Sequence, residues 1–164
     1  MMVACSCSKN FGLYNERAGC LHTLCESPHV AGNVLSQLTA LSRTLISNCP
    51  AHGARIVATI LGDQELKHMW EQECAEMADR LSAIRLLLFD CMIKYDVPGN
   101  WEHIVAQRGM FTFSGIPPWA VERLQQEHHI YMLSNGRISL AGLNTHNVEY
   151  FAQSVATVLR DGEV

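Results

Sequence analysis

The hydrophobic positions of this chain divide it into short alternating runs and longer helical ones. Residues 20–25, CLHTLC, alternate apolar and polar and predict a short strand. Ser27-Pro28 then reads as a helix start, with serine as N-cap and proline at the first helical position. Val30, Val34, Leu38, Leu41 and Leu45 follow at helical spacing. SNCP breaks the pattern, and AHGARIVATIL predicts a second, shorter helix. The longest periodic stretch runs from Asp63, the expected cap, to about Tyr95, carrying Leu66, Met69, Met77, Leu81, Ile84, Leu88 and Cys91. Pro98 and Gly99 in DVPGN stop it, and a helix of that length reads as a bridge between two bodies. GMFTF then predicts a strand and PPWAVERLQQEHH a helix, while IYMLSNGRISL predicts two strand runs around an Asn-Gly turn. A last helix is expected from about Asn144, its N-cap, with Val148, Phe151, Val155 and Val158 on one face. The C-terminal part is therefore expected to be a compact α+β unit. No internal repeat or low-complexity segment interrupts the pattern.

Composition narrows the function classes. With 164 residues, 48% hydrophobic and 17% charged, the chain can bury a core. A formal charge of −4 without a Lys/Arg cluster offers no footprint for nucleic acid or an anionic membrane. The seven cysteines form no C-x-x-C pair and the histidines have no ligand spacing, so no metal is expected. Scattered free cysteines suit a reducing compartment, and no long apolar run or signal-like N-terminus is present. The expected location is the cytoplasm.

Candidate chemistry begins at SCSKNFGLYNERAG, Ser6 to Gly19. Lys9 stands there as a lone cation among small, hydroxyl and aromatic groups, with Arg17 eight residues on. A lysine suits Schiff-base formation when burial or a neighbouring cation lowers its pKa. Tyr14 and Trp70 read as packing groups rather than cofactor platforms. The string closely resembles the SxSKNFGLYxERxG signature of the aspartate aminotransferases. That resemblance implies a pyridoxal 5'-phosphate (PLP) enzyme in which Lys9 makes the covalent link to the cofactor and afterwards carries the proton between the substrate α-carbon and the cofactor. It further implies that Ser6 and Arg17 bind the PLP phosphate, with Ser8 a further candidate. A hydroxyl donor and a forked guanidinium suit a phosphate dianion.

Two more segments resemble the same family. In SRTLISNCPAHGARIV, Arg43 stands five residues before Asn48, the family's spacing. The resemblance implies that Arg43 reaches into the neighbouring subunit of a homodimer and grips the substrate's distal carboxylate. Cys49 stands where the family has a proline. HHIYMLSNGRISLAGLN resembles the family's HIYLLxSGRIxxxGL, which makes Arg137 the anchor for the substrate α-carboxylate. Two arginines for two carboxylates imply dicarboxylate substrates, each charge-assisted hydrogen bond contributing about 1.5 to 3 kcal/mol. GMFTFSG, with Phe111 and Phe113, also resembles the family, which implies that one of these aromatics lines the substrate pocket, with core packing the leading reading.

The resemblance covers the whole chain but only the C-terminal part of the family, most like its cytosolic form. It implies an α/β fold, the C-terminal portion of a fold-type I PLP-dependent transferase. Residues 1–62 would be a remnant of the PLP-binding large domain, 63–95 the long connecting helix, and 96–164 the small domain. The implied function is transamination between L-aspartate and 2-oxoglutarate, with weak activity expected of these 164 residues alone. The alternatives are a non-catalytic remnant that associates with a full-length subunit, or a transaminase with another substrate preference, such as an aromatic one.

Overall fold

A computed structural model describes residues 1–162. Two compact units divide the chain, Met1–Cys74 and the part from Ala75 onward. In the first, β1 (Met2–Ser6) pairs antiparallel with β2 (Gly19–Thr23), in register from Met2 opposite Thr23 to Ser6 opposite Gly19. β2 is the expected strand, while β1 was not foreseen. α1 (Pro28–Ile46) starts as its sequence predicts, with the Ser27 hydroxyl accepting the Val30 N–H at 3.3 Å. None of its residues is buried, and Leu35 and Leu45 stand 65% and 79% exposed. α2 (His52–Gly62) packs against the β1–β2 loop through Gly53, where a Cβ would lie 2.8 Å from Glu16 Cβ.

α3 (Gln64–Lys94) matches the expected long helix. Asp63 caps it, one carboxylate oxygen accepting the N–H groups of Glu65 and Leu66 at 2.9 and 3.0 Å. Its periodic positions do not share one fate. Leu66, Met69 and Met77 are exposed, whereas Ile84, Leu88 and Cys91 are buried in the second unit.

That second unit adds α4 (Glu102–Ala106), β3 (Phe111–Phe113), α5 (Pro118–His128), β4 (Arg137–Ser139), a 3-10 turn (Leu140–Gly142) and α6 (Val148–Asp161). α6 presents the expected face, with Val148, Phe151, Val155 and Val158 buried. It begins later than expected, because the Asn144 side chain accepts the N–H groups of His146 and Asn147 at 2.8 and 3.1 Å and holds a separate turn.

The expected hairpin across the Asn-Gly turn does not form. Residues 130–133 are not a strand, and β4 pairs with β3, Phe111 opposite Ser139 and Phe113 opposite Arg137. Ser114 accounts for the switch. Its backbone N–H and its hydroxyl both donate to Gly136 O, at 3.0 and 2.6 Å, and bring the turn against the end of β3. Gly136, at φ 81°, tolerates this approach because a Cβ there would fall 2.9 Å from Ile116 O.

Phe111 and Phe113 also differ from expectation. Both are exposed, and Thr112 between them is fully buried. Buried Arg85 of α3 explains the inversion. Its guanidinium donates to the Thr112 hydroxyl, to Ile104 O and Gly109 O at 2.7 Å each, and to Phe111 O at 3.4 Å. Burial, and then the nearby charge of Arg108, pull its pKa below the ordinary arginine value. Arg85→Met strands several buried acceptors at once and is expected to cost about 3 kcal/mol. The check is urea unfolding, where the midpoint should fall by about 1 M or more. An unchanged midpoint would mean that water replaces the guanidinium at no cost.

Candidate functional site

The Lys9 segment is the loop between β1 and β2. Its ends are joined by a hydrogen bond from Cys7 N–H to Ala18 O at 3.0 Å, which extends the ladder by one pair. Inside, Leu13 N–H donates to Cys7 O at 3.2 Å, and Gly12 turns the chain at φ 65°. Arg17 also adopts a positive φ, 54°, which is uncommon for a non-glycine residue. Its guanidinium donates to Tyr14 O at 2.9 Å. The Ser6 hydroxyl accepts the Ser8 N–H at 3.2 Å and donates to the Ser8 hydroxyl at 3.0 Å. Ser6, Ser8 and Arg17 line one open cavity of about 240 Å³ together with Cys5, Ala18 and Gly19. Gly19 belongs there because a Cβ would sit 2.6 Å from Cys5 O.

Two hydroxyls and a guanidinium around a small cavity form a donor set suited to a tetrahedral oxyanion, and among these lining groups no carboxylate opposes one. Lys9 follows Ser8 directly. It is exposed, with Nζ 4.3 Å from the centroid of the Tyr14 ring.

Arg43 occupies the last turn of α1 and is exposed. Its carbonyl accepts the N–H of Ser47, which ends the helix at φ 64°. Arg43, Ser42, Thr39, Ser47, Asn48 and Cys49 line a cavity of about 280 Å³. A cation with hydroxyl and amide neighbours can take a carboxylate.

Arg137 opens β4 in the second unit and is likewise exposed. Its guanidinium carbon lies 4.6 Å from the Phe111 ring centroid, so the ring forms a platform under the cation. Arg137 and Phe111 border a largely apolar groove of about 740 Å³, with Tyr131, Leu133 and Tyr150 also contributing. The aromatic role of Phe111 is thus at the surface beside a candidate anion anchor.

The sequence readings missed Arg85 and took Trp70 as a packing group without its hydrogen bond to the Lys9 loop. Arg85 supports the strand carrying Phe111, and Trp70 holds the loop carrying Lys9. No local signal marked either, beyond an arginine and a tryptophan set within the periodic stretch of a long helix. Among the described residues no group of three or more His, Cys, Asp or Glu could hold a metal, and no helix is long and apolar enough to cross a membrane.

Comparison with known proteins gives these sites a context. Residues 1–155 match the aminotransferase class I and II family, whose members depend on PLP. The chain is 49% identical over 155 residues to a mitochondrial aspartate aminotransferase of Arabidopsis thaliana, covering 94% of this chain and 36% of that protein. It is 47% identical to a cytoplasmic aspartate aminotransferase of Dictyostelium discoideum, covering 94% and 35%. Among solved structures, an aromatic-amino-acid aminotransferase from Burkholderia pseudomallei, described as covalently bound to pyridoxal phosphate, superposes with a TM-score of 0.89 at 44% identity, over 96% of this chain and 40% of that one. The chain thus spans little more than a third of the length of the curated relatives it matches. Its α/β architecture is part of the fold-type I PLP-dependent transferase fold. With nearly its whole length inside the matched region, the chain belongs to the class I and II aminotransferases.

Proposed function

We propose that this chain supplies the C-terminal part of a PLP-dependent aspartate aminotransferase, which transfers the amino group of L-aspartate to 2-oxoglutarate. The observation that carries the reading is the loop from Ser6 to Gly19, where Ser6, Ser8 and Arg17 border one anion-sized cavity next to Lys9. When bound, PLP supplies a carbonyl that reacts with amines and a ring that accepts the electron pair left on the α-carbon.

The residues of this chain do the holding and the proton transfer. Ser6, Ser8 and Arg17 bind the phosphate and fix the ligand's orientation relative to Lys9. Lys9 would hold the cofactor covalently through Nζ, and its amine would take the proton from the substrate α-carbon. Arg137, steadied over Phe111, binds the α-carboxylate. Arg43 serves the partner subunit of a homodimer by binding the distal carboxylate, which selects dicarboxylic substrates. In this reading residues 1–62 are the tail of the PLP-binding domain, 63–95 the connecting helix and 96–164 the small domain, and the protein works in the cytoplasm. A second reading, a non-catalytic chain that docks on a full-length subunit, is favoured by the exposed Leu35, Leu41 and Leu45 of α1.

Peptide mapping after borohydride reduction of the PLP-treated chain tests the assignment. Among the chain's three lysines the reduced pyridoxyl label is expected to appear fastest on Lys9, and only slowly on Lys67, which pairs with Glu71, and Lys94, which pairs with Glu149. Label on either of these in preference to Lys9 would overturn it.

A further inference from the structure

The loop bearing Lys9 is gripped from α3 immediately after the lysine. The indole N–H of Trp70 donates to Asn10 O at 2.7 Å, and its ring stacks on Phe11 with centroids 4.6 Å apart and planes within 12°. Cys74, one turn further along the same face, places its thiol 3.4 Å from the same Asn10 carbonyl. A carbonyl and a ring on two successive residues are therefore held by one side chain. That contact fixes both the position and the rotation of the backbone next to Lys9. Packing alone would need only an aromatic ring, so the N–H donated to Asn10 O adds direction to the contact.

Restraint matters at this position because Lys9 is exposed and carries a long side chain with many rotamers, so the backbone sets where its amine can reach. The loop ends are tied by the β1–β2 ladder, through Cys7 and Ala18. The chain between them includes Gly12 at positive φ, a residue with wide backbone freedom. Movement of Asn10 and Phe11 would shift the Lys9 backbone relative to Ser8, which lines the cavity with Ser6 and Arg17.

We infer that Trp70 is a positioning residue for Lys9, holding the Asn10–Phe11 backbone so that the amine meets a carbonyl-bearing phosphate ligand anchored by Ser6, Ser8 and Arg17. This rests on the reading of Lys9 as the attachment point. Trp70 acts through the loop and touches no reacting atom.

The test compares the initial rate of reductive PLP labelling at Lys9 with that at Lys94, a reference lysine in the other unit, in the full 164-residue chain. Trp70→Phe keeps a ring against Phe11 and removes the donor. The Lys9:Lys94 ratio is expected to fall about fivefold, the weight of one ordinary hydrogen bond, with far-UV circular dichroism and melting temperature close to those of the unaltered chain. Trp70→Leu removes ring and donor and is expected to lower the ratio further. Should Trp70→Leu lose its fold, Trp70→Phe decides alone. An unchanged ratio in a folded Trp70→Phe chain overturns the inference while leaving Lys9 as the attachment point. Absence of Lys9 label in the unaltered chain overturns the attachment point itself, and the inference with it.

Discussion

Given PLP, aspartate and 2-oxoglutarate, the purified 164-residue chain is expected to form oxaloacetate at less than about a thousandth of the roughly 10 per second of a typical enzyme. The reason lies in exposure. Lys9, Arg17, Arg43 and Arg137 all face solvent in this fold. A charge pair in water contributes about 1 kcal/mol, whereas the same pair in a water-excluded site contributes several times more. Proton transfer by Lys9 also gains its speed from being held at contact distance with the reacting carbon, an advantage that solvent-exposed side chains lose. Within the first unit, Asp63 is engaged as the cap of α3 and does not supply a free carboxylate to steady a protonated ring. The measurement is coupled oxaloacetate detection on protein prepared without host transaminases. Turnover near the typical value, abolished by Lys9→Ala, would show that the exposed groups already form a complete site.

Arg43→Ala, placed in an aminotransferase dimer that carries this segment and a complete N-terminal half, is expected to lower kcat/KM for aspartate by about a hundredfold or more. Breaking a desolvated charge pair costs about 3 to 5 kcal/mol, because the remaining charge is left unpaired. Aromatic amino acids, which have no distal carboxylate, should lose little. Steady-state kinetics with both substrate classes make the comparison. Equal losses would assign the Arg43 side chain to the architecture of the α1 terminus rather than to the substrate.

The two expectations treat Arg43 and Lys9 differently from a residue such as Arg85. Arg85 is already desolvated and hydrogen-bonded within one unit, so its contribution is measurable as stability of this chain. The candidate site arginines become strong only where solvent is excluded around them. Their exposed state here is consistent with a chain that covers 36% of its relative's length.

Helix starts were legible in the sequence because they depend on neighbours a few residues apart. Ser27 bonds to Val30 and Asp63 to Glu65 and Leu66, so each cap is written in consecutive letters. The buried face of α6 was legible for the same reason, since helical spacing places Val148, Phe151, Val155 and Val158 together whatever they pack against. The run from Ser6 to Gly19 is one uninterrupted string, and its Ser6 and Ser8 hydroxyls and Arg17 guanidinium line one cavity.

Strand pairing was decided by the tertiary structure. An Asn-Gly pair between apolar runs favours a hairpin, but Ser114 captured Gly136 O and β3 became the partner of β4. β1 exists through its ladder with β2, and its five exposed residues show no one-sided burial pattern to announce it. Burial of Arg85, and with it the outward turn of Phe111 and Phe113, follows from carbonyls that approach α3 from 19 to 26 residues away. Trp70 meets Asn10 across 60 residues. Caps and periodicity are short-range energies that the chain expresses locally. The partner of a strand edge or of a buried donor depends on which distant backbone groups come within hydrogen-bond reach, and only the folded chain settles that.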